Sequence, residues 1–385
     1  MSERTTTKLL LERLRPQTAE MLACLRRLVE CESPSLEKAA ADRCCMLLAK
    51  EWRAHGAVME RLTQKVRGDH LRIVWQPAQM PVARQVLVLG HYDTVYATGT
   101  LRKMPFRVKG GKAYGPGVFD MKAGIVQALF AFKALRELKV ALRKRVVFLW
   151  TSDEEIGSGS SRKLLETEAL KSSAVLVLEP AFGAQGLLKT SRKGVGEAEL
   201  IVHGRASHAG LAPQDGVNAI HELALQIGHI EKWNDLKRGI SVNADIVEGG
   251  TRTNVIADKA RAVFDLRALS IADMRKIEKR LRQLRPVHKG ARLEVRGGFD
   301  RPPLERGMSA ELFARARKIA GEMGVTLGEC CAGGGSDGNL TAALGVPTLD
   351  GLGAVGDGAH SVDEYIVLSK MAERATLLAA LLQVI

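Results

Sequence analysis

The chain reads as an α/β protein built on a mostly parallel sheet flanked by helices, with a smaller ferredoxin-like α+β domain inserted into it. Three observations predict this. Short apolar runs of strand length alternate with helical periodicity through the first half. Near residue 187 the order changes to β-α-β-β-α-β, the split unit of ferredoxin-like domains. After Gly297-Gly298 the α/β pattern returns. At 385 residues the chain also exceeds the size at which single cores stop growing, so two domains are expected. The boundaries follow as 1–186 and 300–385 for the main domain and 187–299 for the insertion, which is tolerated where chain ends lie close together.

Taken in order, helical stretches are expected at 8–29 and 35–55, the second started by Ser33-Pro34-Ser35. Short strands lead to the apolar run Gln85-Val-Leu-Val-Leu-Gly90. Ile125, Leu129, Phe130, Phe132 and Leu135 give 122–138 a helical period. Strand 145–152, helix 159–170 and strand 174–178 complete the alternation. In the insertion, strands are expected at 196–203, 240–247, 260–267 and 291–296, with helices at 217–233 and 273–284. Helices near 308–323, 336–344 and 367–384 close the chain.

Composition excludes several classes. The 46% hydrophobic content is that of a soluble globular protein, and no apolar stretch reaches the length of roughly 18 residues that a membrane helix needs. The start, Met1-Ser-Glu-Arg-Thr-Thr-Thr-Lys8, lacks the charged-then-apolar pattern of a secretory signal. The cytoplasm is therefore expected, although a mature chain trimmed of its signal would read the same. The six cysteines include two adjacent pairs and no CxxC spacing, a poor framework for disulfides or zinc. The net charge of +14 is spread along the chain, with one dense cluster over Arg275–Arg282. That cluster reads as the solvated face of an amphipathic helix with Ile277, Leu281 and Leu284 turned inward. No aromatic residues interleave with it, so no nucleic-acid partner is expected.

The chemistry lies where predicted strands end. His91 and Asp93 close the first apolar run, Asp153, Glu154 and Glu155 close the second, and Glu179 closes the third; Asp120 and His360 lie in Gly-rich loops. Ligands of open α/β sheets bind beyond the carboxyl ends of the strands. A His and an Asp two apart can put one imidazole nitrogen on a metal while the carboxylate orients the other. Each feature alone has an ordinary reading: a satisfied histidine, a helix cap at Asp120, a solvated acidic loop. Together, two His, one Asp and two Glu, with a further Glu to spare, satisfy two tetrahedral ions that share one carboxylate.

His91-Tyr-Asp-Thr-Val95, Gly115-Pro-Gly-Val-Phe-Asp-Met-Lys-Ala-Gly124, Thr151-Ser-Asp-Glu-Glu-Ile-Gly157, Glu179-Pro180 and Gly358-Ala-His-Ser361 carry a resemblance over nearly the whole chain. They resemble the dizinc amidohydrolase and metallopeptidase family of bacterial glutamate carboxypeptidase, succinyl-diaminopimelate desuccinylase, acetylornithine deacetylase and aminoacylase. Ala206-Ser-His-Ala-Gly210, Thr253-Asn-Val-Ile256 and Gly351-Leu-Gly353 look nearest to glutamate carboxypeptidase.

The resemblance implies two Zn2+ per subunit, with Co2+ or Mn2+ as substitutes. Asp120 would bridge them, its bond to Met121 in the cis form. Glu155 and His360 would hold one ion, His91 and Glu179 the other. Glu154 would be the general base, with Asp93 orienting His91. In the insertion, His208 would polarise the scissile carbonyl, while Asn254 and Arg267 would contact a free substrate carboxylate. Arg301 and the Gly333–Gly335 loop are further candidates for that contact. The implied function is a zinc carboxypeptidase cleaving the amide before a C-terminal amino acid, with glutamate a candidate, in a peptide or N-acyl conjugate. An N-acyl amino acid deacylase or desuccinylase is the alternative, and a noncatalytic dimeric binding protein on the same scaffold is the third reading. A homodimer formed through the inserted domain is expected from the family.

Overall fold

The computed structural model describes residues 3–76 and 84–385. The chain divides into two compact units: Met1–Thr190 with Arg306–Cys331 and Ser336–Ile385, and Ser191–Glu305 with Ala332–Gly335.

The first unit is built on a six-stranded sheet in the order Val58–Leu62, His70–Trp75, Arg145–Thr151, Gln85–His91, Ser172–Val177, Thr348–Leu349. The last four run parallel, and the first two form an antiparallel edge. Strand Gln85–His91 is buried at every position, as a central parallel strand covered on both faces must be. Val86, Val88, Val146, Phe148 and Leu176 join the core on one face, Leu87, Leu89, Val147, Leu149 and Val175 that on the other. On the first face lie helices Ala123–Glu137 and Met371–Val384, which pack on each other and are apolar nearly all round. Trp52, from helix Lys38–Ala54, stacks against Phe132, Phe148 and Trp150 at ring separations of 5.4, 4.8 and 5.7 Å. Arg374 is buried on the last helix and donates to the carbonyls of Gly353 and Gly186 at 2.9 and 3.1 Å and to that of Gly351. Its guanidinium thereby ties the C-terminal helix to the loop after Thr348–Leu349.

The second unit is a four-stranded antiparallel sheet in the order Ser241–Gly249, Lys259–Ala268, Gly194–His203, Arg292–Arg301. Helices Ala219–Glu231 and Ile271–Arg282 pack on it, giving the ferredoxin-like arrangement. Ile277 and Leu281 are buried, leaving the basic side chains of their helix on the outer face. The last strand runs five residues beyond the expected end at Arg296. Gly297, at φ 77°, lets it continue: a Cβ there would meet the Glu197 carbonyl at 2.3 Å. A boundary set at 299 therefore falls inside a strand, and the unit extends to Glu305. The strand Leu188–Arg192 and the hairpin Arg107–Lys109/Lys112–Tyr114 were not anticipated, being short and lacking a clear alternation.

All six cysteines are free thiols. Burial pushes those of Cys24 and Cys45 up to about 12, as suits inert packing groups rather than ligands. No helix of the described residues is long and apolar enough to cross a membrane.

Candidate metal centre

The parallel register brings three strand ends to one edge. His91 pairs with Thr151, and Leu89 with Val177, so the residues that follow Thr151 and Val177 emerge beside His91. Glu154 and Glu155 leave from the first of these ends and Glu179 from the second. Asp120 arrives from the turn after Gly115-Pro-Gly117, where Gly117 has φ 70° and a Cβ would meet Thr94 Cγ2 at 2.5 Å. The Asp120–Met121 peptide bond is cis. His360 sits in the turn before strand Tyr365–Val367, itself at φ 63°.

Two triads result: His91, Asp120 and Glu179, and Asp120, Glu155 and His360. His91 Nε2 is 3.3 Å from Asp120 Oδ1 and 3.4 Å from Glu179 Oε1. His360 Nε2 is 3.1 Å from Glu155 Oε2 and 3.6 Å from Asp120 Oδ2. Asp120 thus turns one oxygen towards each imidazole. The Glu154 carboxylate stands 4.0 Å from His91 Nε2.

The donor set fits divalent cations. His91 Nε2, Asp120 Oδ1 and Glu155 Oε1 are buried and carry no hydrogen bond, a costly state for polar atoms unless a cation meets them. Burial raises the Glu155 carboxyl above its usual range. Hydrogen bonding to Glu155 raises His360 to about 9. Burial opposes charge on His91, yet the carboxylates of Asp120, Asp93 and Glu179 outweigh it and raise its pKa. Negative charge concentrated against imidazole is what a pair of cations relieves. Oxygen and nitrogen donors without thiolate suit zinc, cobalt or manganese.

Around the triads, Asp93 is fully buried. His91 Nδ1 lies 3.1 Å from the Asp93 main-chain oxygen and 3.4 Å from its Oδ1, which directs Nε2 to the triad. The Asp93 carboxylate also accepts the Ser35 hydroxyl at 2.7 Å and the backbone N–H groups of Glu154 and Glu155, both at 3.3 Å. Asp153 behaves differently from the other two acids of its run. Its Oδ2 accepts the Ser160 amide and hydroxyl at 2.6 and 2.7 Å and the Ser161 amide at 3.3 Å. Local donors therefore satisfy this oxygen of Asp153, which turns inward rather than into a solvated loop. Sequence reading missed Ser35, Tyr96 and Glu364, whose side chains brace this region; only the Ser33-Pro34-Ser35 helix-start signal drew notice to that stretch.

Residues 87–384 match the family described as Peptidase family M20/M25/M40. The chain belongs to that family. It is similar to carboxypeptidase G2 of Pseudomonas sp. (strain RS-16), 34% identical over 306 residues covering 78% of this chain and 73% of the relative. It is also similar to the succinyl-diaminopimelate desuccinylase of Paraburkholderia xenovorans (strain LB400), 29% identical over 72% of this chain and 76% of the relative. Among solved structures, aminopeptidase PepT from Bacillus cereus ATCC 10987 shares the fold with a TM-score of 0.78 at 22% identity, covering 95% of this chain and 98% of that one. An M20 family metallo-carboxypeptidase from Sulfolobus solfataricus does so with a TM-score of 0.72 at 17% identity, covering 94% and 98%. The chain is accordingly an M20 metallohydrolase.

The remaining candidate residues of this M20 chain lie in the second unit. His208 is exposed, and its Nδ1 accepts the amides of Gly210 and Leu211 at 3.2 and 3.1 Å. That leaves Nε2 to carry the proton, the tautomer a carbonyl-polarising donor needs. Asn254, also exposed, accepts the Ala209 amide on its main-chain oxygen at 2.9 Å, joining its loop to that of His208. Arg267 is already engaged. Its Nε is 2.8 Å from Asp265 Oδ1 and its Nη2 2.7 Å from Oδ2, a bidentate pair on the same strand. Its Nη1 reaches the Gly333 carbonyl at 3.5 Å, and Arg192 donates to the Gly334 carbonyl at 3.1 Å, so two guanidiniums brace the Gly333–Gly335 loop. Arg301 is buried.

Proposed function

We propose that this protein is a two-cation carboxypeptidase that hydrolyses the amide bond before a C-terminal amino acid, glutamate being the leading candidate, in a peptide or N-acyl conjugate. The observation that carries the reading is Asp120, whose two oxygens face two different His-containing triads with Glu154 alongside. Its orientation towards carboxypeptidase rather than desuccinylase chemistry leans on the higher identity to carboxypeptidase G2.

His91 and Glu179 would hold one cation, Glu155 and His360 the other, with Asp120 common to both. Bound there, the cations supply Lewis acidity that polarises the amide carbonyl and acidifies the attacking water. Glu154 takes the proton from that water and passes it to the leaving amine nitrogen, in keeping with a carboxylate beside His91. Asp93 keeps Nε2 of His91 aimed at the cation. His208, of this chain or of the partner subunit, would donate from Nε2 to the carbonyl oxygen as charge develops there. Asn254 contributes to binding the substrate carboxylate. Arg267 does so after yielding part of its pairing with Asp265, or supports the Gly333–Gly335 loop instead.

The assay that tests this supplies N-acyl glutamates, γ- and α-linked glutamyl conjugates and short N-succinyl or N-acetyl amino acids to the metal-loaded protein. Release of the C-terminal amino acid from the glutamyl or peptide conjugates is expected. Turnover confined to short acyl derivatives would move the protein to the deacylase branch, and no turnover of any member would support the noncatalytic reading.

A homodimer formed through the second unit is part of the proposal. Strand Ser241–Gly249 is a sheet edge, and Ile246 and Val247 on it are exposed, as are Ile220 and Leu225 on helix Ala219–Glu231. Sedimentation equilibrium should return twice the chain mass of 41.8 kDa. The mass of a single chain at micromolar concentration would rule the dimer out.

A further inference from the structure

Glu364 is fully buried, four residues after His360, and outside both triads. Its Oε1 accepts the backbone N–H groups of Phe119 and Asp120 at 2.7 and 3.0 Å. Its Oε2 accepts the Gly117 N–H at 3.0 Å and the Tyr96 hydroxyl at 2.8 Å. One carboxylate therefore satisfies three main-chain donors of the turn that presents Asp120, a stretch with irregular backbone where no helix or strand partner is at hand.

The anchoring of Glu364 gives this contact a direction. The next three residues form strand Tyr365–Val367, which pairs with Lys112–Tyr114, the strand that feeds the Asp120 turn. On its other side, the Glu364 N–H donates to the Ser361 carbonyl at 3.3 Å, and Ser361 N–H to the Gly358 carbonyl at 2.9 Å, closing the turn that carries His360. Tyr96 spans both parts, since its hydroxyl also lies 2.9 Å from the Ser361 carbonyl oxygen. Glu364 is thus the point at which the Asp120 turn and the His360 turn meet. By contrast, His91 ends a central strand and Glu179 follows another closely, so their positions are set by the sheet.

We propose that Glu364 is a positioning residue that fixes Asp120 relative to His360 and so governs the cation site of Asp120, Glu155 and His360 more than the site of His91, Asp120 and Glu179. The proposal rests on the two-cation reading above. Removing the carboxylate leaves the main-chain amides of Gly117, Phe119 and Asp120 without their acceptor, which is costly for any that stays dry. The turn recovers that energy by moving towards water, and the Asp120 carboxylate moves with it. Glutamine keeps an oxygen for Phe119 and Asp120 but turns an NH2 group at the Gly117 N–H, so it restores part of the brace.

The test is calorimetric titration of Zn2+ into the metal-depleted full chain, wild type beside Glu364→Ala and Glu364→Gln, with thermal unfolding recorded for each. The wild type should take up two ions. In Glu364→Ala one step should weaken roughly tenfold to a hundredfold, the usual effect of losing a residue that orients a ligand, while the other, which shares Asp120 but keeps its strand-end donors His91 and Glu179, weakens less. Glu364→Gln should fall between, which keeps the test decisive if the alanine variant does not fold. The kcat of either variant should recover in excess Zn2+. Two steps of wild-type strength in both variants would overturn the proposal and leave the two-cation reading intact. Loss of both steps together with the folded state in both variants would also overturn it, by reducing Glu364 to a structural role. A wild type that binds one ion would overturn the two-cation reading and this proposal with it.

Discussion

Glu154→Gln should lower kcat by roughly a hundredfold to ten-thousandfold, the range lost with a positioned general base, while both cations stay bound. The substitution is close to isosteric and leaves the backbone N–H of Glu154 on Asp93 undisturbed. Glu154 belongs to neither triad, so the donors of both persist. What disappears is a group able to take a proton beside His91. The check pairs steady-state kinetics with metal content on the same preparation. Full activity would refute the assignment of the base. Low activity with lost metal would make Glu154 a ligand rather than a base.

Asp120→Ala should be more severe, because Asp120 is the one donor common to both triads. Each site falls to two protein donors, and the two imidazoles lose the carboxylate that separates them. Bound cations contribute several kcal/mol to the transition state, and about 1.4 kcal/mol corresponds to tenfold in rate. A loss of roughly a thousandfold or more follows. Metal analysis should show both sites weakened, whereas Glu179→Ala should weaken chiefly the site of His91. If Asp120→Ala kept one ion at wild-type affinity, Asp120 would not be shared.

The strand-end positions were readable in sequence because a parallel βαβ segment leaves few choices. Once 85–90, 145–152 and 174–178 are parallel neighbours, the residues after each must gather at one edge, and His91, Glu154, Glu155 and Glu179 do. Asp120 and His360 were less constrained by pattern, since each lies in a Gly-rich turn whose path depends on distant donors. The residue that supplies those donors with an acceptor, Glu364, carried no signal: an acid among Asp363, Glu364 and Tyr365 reads as solvated loop until the small sheet of Lys112–Tyr114 and Tyr365–Val367 forms. Asp153 was not separable from Glu154 and Glu155 in sequence, its inward turn being fixed by Ser160 and Ser161 seven and eight residues later. The pairing of Arg267 with Asp265 was also hidden. Residues two apart on a strand share a face, but whether they pair or both face a ligand depends on rotamers that pattern does not specify.

The most direct measurement follows amino-acid release from a glutamyl conjugate by metal-depleted wild-type protein as Zn2+ is added back, with bound metal counted at each point. The account predicts negligible turnover without metal and a rate that reaches its plateau at two ions per chain. Undiminished turnover by the metal-free chain would contradict it, as would a plateau already complete at one.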